Sequence, residues 1–163
     1  MRRVAIVTMA LCLAVEVRLA QAQSTRPADL AAGKLLVASP DLPDPNFAKT
    51  VVLLVQYDAD GVIGLILNRR SKVPISRVLD ELAGAKNRKD LVYAGGPVGR
   101  TDVLALVRSH LPPGDAKRVF GDVFLASSKE ALEKTFAAAT DADAVHVYLG
   151  YSGWTARFSR WRR

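Results

Sequence analysis

The chain has 163 residues, 50% of them hydrophobic and 24% charged, with one cysteine and two histidines. This is the composition of one domain with a real core, and it excludes a disulfide scaffold and a Cys/His metal cluster. The formal charge of +7 does not describe a basic domain, because residues 23–156 hold 16 basic and 15 acidic side chains and the excess lies at the two ends; that argues against a nucleic-acid surface on the domain itself.

Arg2 and Arg3 precede an apolar run of twelve, 4–15 (VAIVTMALCLAV), and Ala20-Gln21-Ala22 offers small residues for cleavage. This is the layout of a secretory signal peptide over residues 1–22, and the run is too short to span a membrane comfortably. Cleavage after Ala22 leaves 141 residues without a cysteine, so the mature chain has no thiol chemistry. A periplasmic or secreted location follows if the signal is real, and a cytoplasmic one otherwise. Residues 23–32 read as a linker. No later apolar run approaches a membrane span.

Residues 34–39 (KLLVAS) are a strand candidate, followed by PDLPDPNFAK at 40–49, where three prolines impose a loop of defined shape. Residues 50–57 (TVVLLVQY) and 62–68 (VIGLILN) are nearly continuous aliphatic runs joined by Asp58-Ala-Asp-Gly61. They predict a hairpin buried on both faces at the centre of the core. Residues 75–82 (ISRVLDEL) place Ile75, Val78, Leu79 and Leu82 on one helical face. A short strand at 91–93 runs into GGPVG, which is read either as a turn between strands or as a small anion-binding nest of backbone N–H groups.

Strands follow at 102–109 (DVLALVRS) and 118–126 (RVFGDVFLA), the second with a glycine that suggests a bulge. Ser127 and Glu130 have capping-box spacing ahead of a helix at 129–139, and 144–149 is the last strand. Several strands precede the first helix, so the fold class expected is α+β with a mostly antiparallel or mixed sheet.

Most chemistry that the residues suggest fails on inspection. Ser152 in GYSGW resembles a nucleophile elbow, but Trp154 fills the place of the second glycine. Nothing after Ser152 is His, Asp or Glu, so no acid and base follow it in hydrolase order, and GYSGW is read as a tight turn that positions Tyr151 and Trp154. The pairs Asp41/Asp44, Asp58/Asp60 and Asp141/Asp143 lack the further ligands of a calcium loop. No cofactor and no metal are expected. The RFSRWRR ending could contact anionic lipid or nucleic acid, or form a plain terminal tail over 155–163.

Three stretches in order carry a family resemblance. GKLLVASPDLPDPNFAKTVVLLVQYDADGVIGLILNR (33–69), GGPV (95–98) and GYSGW (150–154) resemble the signatures of the YqgE/AlgH family. The resemblance covers residues 33–154 and implies a barrel-like, largely antiparallel sheet flanked by helices. It also implies a bacterial protein without an accepted catalytic mechanism, often labelled a transcriptional regulator. The signature positions carried over are Asp44, Pro45, Asn46 and Phe47, then Gly64 and Asn68, then Gly95, Gly96 and Pro97, and last Gly150, Tyr151, Ser152, Gly153 and Trp154. Asn46, Asn68, Tyr151 and Ser152 are expected to line one polar cleft.

Family members are usually regarded as cytosolic, so the signal-like segment marks an exported branch or a true start further downstream. After GYSGW the family continues into further core elements, and TARFSRWRR is read as a frameshifted or truncated ending. The function expected is a non-enzymatic regulatory or binding module, with a small-cleft enzyme and a poorly functional truncated chain as alternatives. Its partner is an unspecified protein or small ligand; nucleic acid rests on the family label alone.

Overall fold

The computed structural model describes residues 30–138 and 141–155. The expected signal peptide (1–22) lies outside the described residues, as do 23–29 of the linker and 156–163 of the basic tail.

Aliphatic density decides where the sheet is centred. The two long apolar runs form β2 (Val51–Asp58) and β3 (Gly61–Ile66), paired antiparallel as the sequence predicts. Leu54 and Leu65 are fully buried because both faces of this hairpin are covered. At its turn, Asp58 Oδ1 accepts the N–H of Asp60 at 2.9 Å and of Gly61 at 3.3 Å, an Asx turn. β1 (Leu35–Val37) adds to the outer edge of β2.

The organising strand is β9 (Val145–Trp154). One edge pairs antiparallel with β6 (Val98–Arg108); the other runs parallel to β5 (Leu91–Ala94) and then antiparallel to β3. β4 (Arg70–Pro74) pairs with β5, and β6 leads through β8 (Val123–Ala126) to β7 (Lys117–Phe120). The main path is β1-β2-β3-β9-β6-β8-β7, and among the described residues every pairing except β5 with β9 is antiparallel. The sheet curls into a half-barrel. Gly33, just before β1, lies against the end of β7, where a Cβ added to it would sit 3.0 Å from the Phe120 Cβ.

Alternation sorts the core into two clusters. Leu53, Leu65, Leu104, Leu106, Leu125 and Tyr148 fill one face of the curl. Ala105, Val107, Val145 and Val147 point to the other, where Ile75 of α1 (Ile75–Val78) and Leu132 and Phe136 of α2 (Lys129–Ala138) cover them. The architecture is a mostly antiparallel sheet with few helices, and their flanking contribution is smaller than the sequence suggests. No helix among the described residues is long and apolar enough to cross a membrane.

Four local expectations change. The helix expected over 75–82 is a single turn, because no side chain caps its start and the next residues form turns. The strand expected over 118–126 is two strands, β7 and β8, reversed at Gly121-Asp122 with Gly121 at φ +48°. The cap of α2 is Ser128, not Ser127: Ser128 Oγ accepts the Ala131 N–H at 3.0 Å. GYSGW is not a turn but the last half of β9.

Candidate functional site

The signatures meet where β9 changes neighbour. The residues facing the helices are Val145, Val147 and Leu149, but Tyr151 joins Tyr148 in the inner cluster. Gly150 makes that change of face possible by taking φ +70°, a left-handed conformation that side chains disfavour. A Cβ there would also fall 2.8 Å from the Val98 carbonyl oxygen and 2.9 Å from that of Gly96.

Gly95 and Gly96 lie against the same stretch. A Cβ on Gly95 would come within 3.0 Å of the Gly150 oxygen, and one on Gly96 within 3.0 Å of the Tyr151 carbonyl and the Ser152 nitrogen. The Gly95 N–H donates to the Leu149 carbonyl at 2.9 Å, and its own carbonyl accepts the Ile66 N–H at 2.9 Å. One residue thus ties β9 to the end of β3. With its N–H engaged this way, Gly95 connects strands and does not contribute to an open anion nest.

The proline-rich loop is built by short-range bonds and held by long-range ones. Asp44 Oδ1 accepts the Asn46 N–H at 2.8 Å, and the Asp44 carbonyl accepts those of Phe47 (3.0 Å) and Ala48 (2.7 Å). Lys49 takes φ +57°, an uncommon conformation for a residue with a side chain. Asn68 clamps it, donating Nδ2 to the Lys49 carbonyl at 2.9 Å and accepting the Val51 N–H through Oδ1 at 3.0 Å. Arg69 Nη2 donates to the carbonyls of Pro45 (3.0 Å) and Ala48 (3.4 Å). Phe47 stacks on Trp154 with centroids 5.8 Å apart, and a Cβ on Gly64 would crowd both the Trp154 ring and Val52.

A cleft of about 280 Å³ opens beside this junction. Asn46 and Arg69 border it, together with Gly96, Pro97 and Arg100, and apolar Ile66, Ala94 and Leu149 complete the lining. Of the four side chains expected to share a polar cleft, Asn46 lines it. Asn68 is engaged with backbone, and Tyr151 belongs to the inner cluster. Ser152 is fully buried and donates to the Gly95 carbonyl at 3.4 Å, a long bond. His146 stands elsewhere, edge-on to Tyr93 at 5.8 Å.

Arg69 and Arg100 are the cleft residues that sequence reasoning missed. Arg69 is the last residue of the first quoted signature and Arg100 comes two residues after GGPV, yet no spacing rule joins them. Asn46 and Arg69 meet through the fold, and Arg100 comes from the other side of the β5–β6 connection.

A second concavity of about 410 Å³ is bordered by Tyr93, Phe120, His146 and Tyr148, with Arg108 and Asp143 at it. Burial pushes the Tyr148 phenol well above its usual range, and neighbouring Tyr93 adds to the shift. Among the described residues no three His, Cys, Asp or Glu side chains converge as metal ligands. Asp58 and Asp141 instead accept backbone N–H groups two residues on.

A curled, mostly antiparallel sheet whose glycine-rich connections cross at one central strand defines a recognisable class of small domain. A family profile described as DUF179, AlgH-like, matches residues 35–157. The chain belongs to this AlgH-like family. It is 35% identical over 131 residues to the UPF0301 protein of Streptomyces coelicolor, covering 75% of this chain and 65% of that one. A UPF0301 protein of Xylella fastidiosa is 32% identical over 127 residues, covering 76% and 67%. The solution structure of the AlgH protein from Pseudomonas aeruginosa superimposes with a TM-score of 0.59 at 31% identity, over 76% of this chain and 67% of that one. A crystal structure of a Corynebacterium diphtheriae protein, at 19% identity and a TM-score of 0.64 over 80% and 70%, shares the fold. The chain therefore spans just under two thirds of the length of its Streptomyces relative.

Proposed function

We propose that this protein is a non-enzymatic binding module of the AlgH-like family, with a regulatory role exerted through what it holds in the signature cleft. The observation carrying this reading is the division of labour among signature residues. Asp44, Asn68 and Ser152 bond to main chain, and Gly95, Gly96 and Gly150 permit close backbone approach. What borders the cleft is recognition chemistry: one amide, two guanidinium groups and an apolar lining. The alternative of a small-cleft enzyme loses support from Ser152, whose hydroxyl is turned into the junction.

The partner is a small ligand or a protein segment. Direct DNA regulation has little behind it, since residues 23–156 are almost charge-balanced. The N-terminal layout supports export, and N-terminal sequencing of the protein from its native host tests it: a start at Gln23 supports a periplasmic or secreted module.

The binding reading is tested by amide NMR mapping of the full chain against a fragment set containing neutral, cationic and anionic compounds. Shifts should cluster at Asn46 to Ala48 and Gly95 to Arg100. Hits confined to the Tyr93/Tyr148 concavity, or none at the cleft, would overturn it.

A further inference from the structure

We propose that the signature cleft selects an anionic small molecule, its carboxylate or phosphate oxygens held between Arg69 and Arg100. The inference rests on the reading of the cleft as the binding place and names the chemistry it recognises.

Among the described residues the cleft is bordered by two guanidinium groups and one amide, and by no carboxylate. Residues 23–156 are otherwise balanced between 16 basic and 15 acidic side chains, so this asymmetry is local and not a consequence of overall charge. The nearest acids in sequence, Asp44 and Asp102, do not line it. Asp44 Oδ1 accepts the Asn46 N–H, and the Asp102 carboxylate lies over Gly99 with no ion pair to Arg100.

Arg69 is preorganised without being neutralised. It is fixed by the carbonyls of Pro45 and Ala48, which both accept from its Nη2. Carbonyl acceptors orient a guanidinium but leave its charge intact, and its other donors stay available for an oxyanion. An acidic partner would have oriented it equally well and cancelled the field. Arg100 sits in the excursion of β6 between Val98 and Val103, where the register with β9 shifts. Its side chain is exposed, and among the described residues its guanidinium has no hydrogen-bond or ion-pair partner. One arginine is thus locked and the other is free to close on what arrives, a pairing suited to bidentate oxyanion contacts.

At about 280 Å³ the cleft lies at the lower end of the range for small-molecule sites. It fits a compact carboxylate or phosphate ester with an apolar portion against Ile66 and Leu149, and it is too small for a dinucleotide.

The test titrates the full chain with sodium phosphate and, separately, sodium succinate, against sodium chloride at matched ionic strength, read by NMR at the Arg side-chain Nε–H and backbone amides. One or both oxyanions should saturate shifts at Gly96 to Arg100 and at Arg69, and chloride should not. Arg100→Gln, at an exposed side chain without bonds, should leave the amide spectrum native and weaken that binding about tenfold or more. Arg100→Lys should fall between the two, because charge remains but the fork is lost. A phosphate carrier is indicated if phosphate alone saturates, and a carboxylate carrier if succinate does. Equal response to chloride, wild-type affinity in Arg100→Gln, or shifts confined to residues 157–163 would each sink the proposal. If neutral fragments occupy the cleft while both oxyanions do not, the anion inference falls and the binding reading stands. If nothing maps to the cleft, both fall.

Discussion

The β2–β3 hairpin and the Gly95–Gly96/Gly150–Ser152 junction are both buried and both at the heart of the sheet, yet opposite forces hold them. The hairpin is held by side chains: Leu54 and Leu65 are fully buried, and removing apolar area from water stabilises each by roughly 1.5–3 kcal/mol. The junction is held by the absence of side chains. Backbone there approaches backbone closely enough that a single methyl group on Gly95 or Gly96 would collide with main-chain atoms. The glycine-rich signatures of this chain are thus steric requirements of a crossing point, and chemistry must be sought in what borders it.

The two regions should therefore respond differently to substitution. The largest effect is expected at Gly96→Ala, because main chain of a central strand cannot move aside as a flexible side chain would. It should destabilise by more than the roughly 1–3 kcal/mol of ordinary overpacking, seen as a large fall in the urea midpoint or no folded protein at all. A midpoint close to wild type would break the comparison.

Asn68→Ala comes next. It removes two backbone bonds and releases the left-handed Lys49. A loss of about 1–3 kcal/mol in equilibrium unfolding is expected, whereas unchanged stability with altered ligand binding would restore Asn68 to the site. Leu65→Met should be milder, below about 1.5 kcal/mol, since the hairpin tolerates volume-conserving change where the junction tolerates none. The smallest effect belongs to Ser152→Ala. Its hydroxyl makes only a long bond to Gly95, whose carbonyl keeps the Ile66 N–H. A shift of about 0.5 kcal/mol or less is expected by thermal melting, and a strong loss would show that the serine is a keystone.

Legibility followed the range of the interactions. Asx turns at Asp44, Asp58 and Asp141 depend on neighbours two residues away, and such carboxylates are visible in sequence as loop-solvating groups. The helix at 129–138 was equally readable, although Ser127 and Ser128 compete for the cap and only Ser128 Oγ reaches the Ala131 N–H. GYSGW misled in a more instructive way. Glycine at two of five positions reads as a turn, but here one glycine reverses the facing of a strand that continues. Composition alone does not distinguish a left-handed residue in a bulge from one in a turn.

The sequence by itself determined the aliphatic hairpin, the placement of α2, the near-neutral charge of the domain and, through three ordered signatures, its membership of the AlgH-like family. These depend on local pattern or on identity of residues, both of which survive without coordinates. Only the tertiary structure decided that β9 is the central strand, that Ser152 and Asn68 serve the backbone, and that Arg69 and Arg100 border one cleft. Gly95 and Ser152 are 57 residues apart. No propensity or spacing encodes a meeting at that distance, because it is fixed by which strands the whole core allows to lie side by side.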